Sequence, residues 1–236
     1  MMKPLTVLLF AASILISCSD DSAPPREYAA VVRGTLANPD LAAARTQHDA
    51  IARAGQASAM AHGDIAHDAL LGTDLLDSTP NEFLAIDRWT DADEMRRFYA
   101  SPGALAELFV APPTIELFEL HPEWVSWGDM TSGDAFEPYY FHFALGDLAQ
   151  PDVAANQAAH DQVAAGGKDP SLAAGNVAHV VWLGLDDPHR FLAVDIWRTA
   201  DVMEAFYTNP DFVRAFAPLF TAVTQPVYQS TDWYQW

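Results

Sequence analysis

The sequence predicts an α+β fold in which one βαββαβ unit is written twice, with the two copies packed face to face. Three observations carry that reading. The stretch Phe83-Leu84-Ala85-Ile86-Asp87-Arg88-Trp89 returns 108 positions later as Phe191-Leu192-Ala193-Val194-Asp195-Ile196-Trp197. The residues around it return in order at a spacing of 112: Tyr28 as Tyr140, Gly34 as Gly146, His48-Asp49 as His160-Asp161, His67 as His179. Within each copy the apolar pattern switches between period two and helical spacing in the order strand, helix, strand, strand, helix, strand.

In the first copy Tyr28 to Val32 reads as a strand that ends at Gly34. Asn38-Pro39-Asp40 starts a helix, with Asn38 as N-cap and Pro39 at the first helical position; an Ala-rich run continues to about Ala54, and Gly55 stops it. A second strand covers about Ile65 to Leu71, and the turn Asp77-Ser78-Thr79-Pro80 leads to the strand at Phe83. Thr90 with Asp93 or Glu94 makes a capping box for a second helix, in which Met95, Phe98 and Tyr99 fall at helical spacing. Ser101-Pro102-Gly103 breaks it, a helical segment runs from about Leu105 to Val110, and a last strand near Ile115 to Leu120 leads to Trp124 and Trp127. The second copy repeats this plan and ends on Trp233 and Trp236. The domains are thus 28–127 and 139–236, joined by a linker at 128–138. This is the ferredoxin-like plan, whose helices cover one sheet face; two copies in one chain can cover each other's free face.

Residues 1–17 stand apart. Lys3 is a positive n-region, Leu5 to Ile16 an apolar core too short to span a bilayer, and the segment reads as a signal peptide. Leu15-Ile16-Ser17-Cys18 resembles the lipobox of bacterial lipoproteins, which implies cleavage before Cys18, lipidation there and a polar tether at 18–27. Ser19 in place of Asp favours the outer membrane, facing the periplasm. Cys18 is the sole cysteine, so disulfides and Cys-based metal sites are excluded. The net charge of −20 makes nucleic acid and anionic membrane surfaces poor partners.

In the repeated strand, alternation puts Phe83, Ala85, Asp87 and Trp89 on one face and the aliphatic residues on the other. The aliphatic face suits packing under helices, and the Asp/Trp face suits a pocket wall. His48 and His160 lie on the first helices, His67 and His179 on the second strands. Each pair fits an acid–base couple, a structural histidine hydrogen-bonded to backbone, or a metal ligand short of partners; no third or fourth ligand stands at a convincing spacing. Asp87 and Asp195, beside Trp89 and Trp197, fit either a general base or a hydrogen-bond acceptor. The paired tryptophans 124/127 and 233/236 fit end-of-barrel packing that closes each copy. No phosphate-binding loop, dinucleotide fingerprint, nucleophile elbow or zincin motif occurs.

Asp187-Pro188-His189-Arg190 followed by the strand to Trp197, then Ala200-Asp201-Val202-Met203 and Asn209-Pro210, resembles the antibiotic-biosynthesis-monooxygenase type of dimeric α/β-barrel domain. The resemblance covers both copies and implies a pseudo-twofold barrel within one chain; apart from that internal pairing, a monomer is expected. It also implies a cofactor-free monooxygenase in which His48, His67, Asp87, His160, His179 and Asp195 deprotonate or orient a small aromatic or apolar substrate. Phe83, Trp89, Tyr99, Phe191, Trp197 and Tyr207 would then shape up to two similar pockets. Two departures stand out: the family usually has Glu where this chain has Asp87 and Asp195, and many members have His where it has Phe98 and Phe206, which cannot ligate haem iron. No metal or cofactor is expected. A non-catalytic ligand-binding or structural envelope lipoprotein is the competing expectation.

Overall fold

The computed structural model describes residues 26–100, 103–130 and 139–236; the signal segment, Cys18 and most of the tether and linker lie outside them. The first half runs β1 (Tyr28–Thr35), α1 (Leu41–Ala61), β2 (Asp64–Leu76), β3 (Glu82–Trp89), α2 (Ala92–Tyr99), a 3₁₀ turn (Gly103–Leu108) and β4 (Thr114–Leu120). The second runs β5 (Tyr140–Leu148), α3 (Val153–Ala174), β6 (Asn176–Gly184), β7 (Arg190–Trp197), α4 (Ala200–Tyr207), α5 (Pro210–Phe216), a 3₁₀ turn (Ala217–Leu219), β8 (Phe220–Thr224) and β9 (Pro226–Ser230).

The helix starts differ from expectation. Asp40, not Asn38, caps α1, accepting the Ala42 N–H at 3.0 Å, and Asp91, not Thr90, caps α2, accepting from Asp93 and Glu94 at 2.9 Å each. Asp accepts from the free amides as well as the expected residues do and adds a negative charge at the positive helix end. Gly55 does not end α1, which continues to Ala61; the stop is Gly63, in the left-handed region at φ +100°.

The strands form one closed antiparallel barrel in the order β1, β3, β2, β9, β5, β7, β6, β4 and back to β1, with β8 extending the β9 side along β5. Closure is made by the last strand of each half: β4 pairs with β6, and β9 with β2. Among the described residues, each half's last strand thus pairs with an edge strand of the other half.

The aliphatic face of the repeated strand lies inside the barrel and not, as expected, beneath the helices; the Asp face looks to the helices, where it also borders a cavity. Leu84, Ile86, Leu192, Val194 and Ile196 point into the barrel, where they pack with Trp182, Phe143 and Tyr228. Phe83 and Ala85 point outward beneath α1, and Trp89 packs against Ala59 and Met95. Both faces are buried, so hydrophobicity alone does not say which is inside. The barrel interior is filled, and the space for a ligand lies outside it, between sheet and helices.

Candidate active site

Strand register sets the first contact. His67 on β2 stands directly opposite Asp87 on β3, and His179 on β6 opposite Asp195 on β7. Opposed side chains on one face lie close enough to bond. His67 Nδ1 hydrogen-bonds Asp87 Oδ1, and His179 Nδ1 reaches Asp195 Oδ1 at 2.7 Å. From the helix above, His48 Nε2 meets His67 Nε2 at 3.1 Å, and His160 Nε2 meets His179 Nε2 at 3.2 Å. The outer nitrogens turn to the next residue in sequence: His48 Nδ1 to Asp49 at 3.1 Å, His160 Nδ1 to Asp161 at 3.0 Å. Each half therefore holds an Asp–His–His–Asp chain, buried but for its outer aspartate and built the same way twice.

The chain fixes its own proton inventory. With a carboxylate at each Nδ1, both imidazoles donate outward, and the facing Nε2 atoms would present lone pair to lone pair unless one proton sits between them. The His48 and His67 ring centroids are 5.3 Å apart with planes 15° off parallel. That exceeds the nitrogen separation by about 2.2 Å, one ring radius at each end, so the rings meet head to head. A metal midway would sit about 1.5 Å from each nitrogen, well inside the ~2.0–2.1 Å of a zinc–imidazole bond. The gap suits a shared proton, and the described residues contain no group of three or more ligands suited to a metal ion. Burial, offset only in part by Asp49, lowers the His48 pKa to about 4, and burial with the neighbouring His179 lowers that of His160 equally. Burial would lower His67 as well, but Asp87 outweighs it and raises the group. His67 is the partner that keeps the proton.

The walls come from the opposite half. Trp236 stacks on His67 at 4.5 Å and Trp233 lies 5.2 Å from His48, while Trp127 stacks on His179 at 4.6 Å and Trp124 lies 5.1 Å from His160. The tails also pair through the backbone: His67 N–H donates to Trp236 O and His179 N–H to Trp127 O. Tyr234 N–H donates to Asp49 and Val125 N–H to Asp161, both at 2.8 Å. The expectation that each tryptophan pair closes its own copy is thus corrected: the tails are exchanged. Both rings of a pair cover one His–His couple, because the tail is an irregular segment and not a strand.

The halves then diverge. The first has a cavity of about 240 Å³, lined by His48, His67, Asp87, Tyr99, Trp236 and a carboxylate the sequence reading missed, Asp64. The Tyr99 hydroxyl donates to Asp87 Oδ2, extending the chain to Tyr99–Asp87–His67–His48–Asp49. Burial and then Asp87 push the Tyr99 pKa well above 10, and burial with the nearby Asp87 raises Asp64 to about 7. Asp49, at the far end, is partly exposed; the Tyr234 N–H and His48 overcome its burial and hold its pKa below the usual value. The chain therefore connects the cavity with the surface.

In the second half the corresponding cavity is about 50 Å³, with Phe212 and Phe216 of α5 in its wall. His142 replaces Ala30 on the other side of the carboxylate, its Nδ1 3.5 Å from Asp195 Oδ2, and Tyr207 stacks on its ring at 3.6 Å while accepting from Trp197 Nε1. Asp195 is buried, but His179 and His142 hold it far below the carboxylate range. Two similar pockets were expected; the space beside the second histidine couple is much smaller than that beside the first.

Of the expected pocket residues, Tyr99, Tyr207 and Phe191 line a cavity, whereas Phe83, Trp89 and Trp197 line neither of these two. Those three are buried core: Phe83 packs on Trp233, and each tryptophan on the phenylalanine of its second helix.

No protein-family model and no curated protein matches the sequence. Solved structures do. An anthrone oxidase-like protein superposes with a TM-score of 0.62 at 16% identity, over 89% of this chain and 92% of its own. A candidate monooxygenase from Fusobacterium nucleatum gives 0.61 at 7% over 90% and 95%. A variant chlorite dismutase from Candidatus Nitrospira defluvii gives 0.54 at 12% over 88% and 91%. The chain has the dimeric α/β-barrel fold. At these identities the likeness is one of fold, and in this barrel the second helix carries Phe98 and Phe206, which offer no ligand to a metal.

Proposed function

We propose that the first half is the active site of a cofactor-independent monooxygenase acting on a small aromatic substrate. The observation that carries the reading is the hydrogen-bonded chain from the cavity at Tyr99 to the surface at Asp49. Such an enzyme must take a proton from its substrate before O₂ adds and return one to the peroxide afterwards. Asp87 can take the substrate's proton through Tyr99 while the shared proton shifts from His67 to His48 and His48 passes its Nδ1 proton to Asp49 and solvent; the reverse shift restores the site. Catalytic roles for His48, His67 and Asp87 follow, with Tyr99 at the substrate end. The substrate anion then supplies both electrons to O₂: a C–O bond forms, the peroxide takes a proton back through the same chain to give a hydroperoxide, and loss of water leaves a carbonyl, so that CH₂ and O₂ become C=O and H₂O. The apolar remainder of the cavity, from Ile51, Leu105 and Leu108, supports an aromatic substrate.

Likeness in fold to an anthrone oxidase-like protein makes anthrone a reasonable first probe. Oxygen uptake with anthrone should proceed one to one and fall by roughly 10²–10⁴-fold in His67→Ala. Tight binding of anthrone without oxygen uptake would instead support the ligand-binding lipoprotein.

We further propose that the chain is anchored in the outer membrane, facing the periplasm, through lipid on Cys18 and acts as a monomer. Incorporation of labelled palmitate by the full-length chain, absent in Cys18→Ala, tests the anchor; sedimentation of the lipid-free protein tests the monomer.

A further inference from the structure

We infer that Asp64 is the acceptor for the ligand's hydroxyl in the first-half cavity, and that the ligand is an uncharged hydroxyaromatic. The inference rests on the reading of that cavity as a ligand pocket and names the group that holds the ligand's hydroxyl there.

Placement is the first argument. Asp64 opens β2, is 3% exposed, and lines the cavity with Asp87, Tyr99 and Trp236. Its Oδ1 accepts the Ala66 N–H at 3.2 Å. The groups facing it are Asp87 from β3, His67 from its own strand, Tyr99 from α2 and the Trp236 indole from the tail. His67, the cationic one, is already engaged by Asp87 and His48. A buried carboxylate so placed gains most from a donor brought by a ligand.

The second argument is internal to the chain. The position equivalent to Asp64 is Asn176, whose Oδ1 accepts Trp127 Nε1 at 2.7 Å and whose Nδ2 donates to Ala178 O at 3.1 Å. Both the oxygen and the nitrogen of that amide are engaged within the protein, and it stands in the half whose cavity is about 50 Å³. The chain keeps an ionisable acceptor in the wall of the larger cavity, and an amide engaged by its neighbours in the half where the histidine couple has less space.

The third argument is chemical. The Tyr99 hydrogen points at Asp87, so the polar lining offers acceptors, and two carboxylates repel an anion. Trp236 and Phe98 supply ring surfaces. Asp64 with a pKa near 7 exchanges between acid and carboxylate close to neutral pH, as a base should.

The test uses 2-naphthol, an uncharged phenol across the neutral range and a strong acid when excited. In the wild-type chain its affinity should rise between about pH 5.5 and pH 8.5 as Asp64 ionises, and bound probe should emit as naphtholate. In Asp64→Asn, which Asn176 shows the fold accommodates, affinity at pH 8.5 should fall about tenfold or more, lose its pH dependence, and naphtholate emission should vanish. Equal affinity and emission in both proteins would overturn the role of Asp64 while leaving the pocket standing. Failure of the wild-type chain to bind would overturn the pocket itself. Tighter binding of 2-naphthylmethylamine, a cation of similar size, would overturn the uncharged class.

Discussion

Trp236 stacks on the imidazole of His67 with 4.5 Å between ring centroids, and the two residues belong to opposite halves of the chain. The same exchange places Trp127 on His179. Each His–His couple is therefore finished by the other copy, so that neither half could complete its site alone.

The first prediction concerns that exchange. Trp233 is 6% exposed and packs on Phe83 and His48, whereas Trp236 is partly exposed. Trp233→Ala should cost about 3–5 kcal/mol, the usual range for emptying a buried tryptophan site. Trp236→Ala should cost clearly less yet alter the His67 ring resonances. Urea unfolding with imidazole NMR checks both; equal stability losses would contradict the packing described.

The stability of the fold should depend on pH in two opposed ways. His48 and His160 titrate near 4 in the folded chain and near 6.5 unfolded, so the unfolded state binds more protons between those values and stability rises with pH there. Asp64 works the other way. Its folded value near 7 lies above the 3.8 of an exposed carboxylate, so the folded state binds more protons in that window and stability falls as pH rises. Asp64→Asn removes the second effect alone. Its unfolding free energy should match the wild type at the acid end and exceed it increasingly up to pH 8, by an amount on the order of 1–3 kcal/mol, as urea unfolding at each pH would show. A variant less stable than wild type at pH 8 would contradict this.

The repeated strand was legible because alternation and an internal copy both marked it. Which face looked inward was not, since Leu84 fills the barrel and Phe83 the helix layer, and both are equally buried. The tail exchange left no mark either: Trp124/Trp127 and Trp233/Trp236 are alike, so the repeat cannot tell own half from other half. Asp64 was readable in principle. Aligned at 112, the copies place Asp64 against Asn176 and Ala30 against His142, and a charge kept in one copy only is the sign of a site that has diverged.

The divergence predicts one ligand per chain. Phe212 and Phe216 stand in the second cavity's wall, 5.1 Å apart between ring centroids and only partly buried. Removing both rings should open that cavity at modest cost in stability. Calorimetric titration with 2-naphthol should give a stoichiometry of one for the wild type and approach two, with a weaker second site, for the Phe212→Ala, Phe216→Ala double variant. Two sites in the wild type would show the plug to be ineffective.

Gly55 offers the cleanest separation of folding from function. It lies within α1, where glycine is unfavourable by roughly 0.5–1 kcal/mol relative to alanine, and it lines the first cavity. A Cβ added there would meet no atom within 4 Å, so the position is held open by nothing but the absence of a side chain. Gly55→Ala should stabilise the chain by about the helix-propensity difference and leave room for ligand. Gly55→Leu should keep that stability while filling the space between Trp236 and the 3₁₀ turn, weakening 2-naphthol binding by at least about tenfold. Thermal melts and the same titration decide the matter. A leucine variant that binds as well as the wild type would move the ligand out of this cavity, and with it the role of the histidine chain.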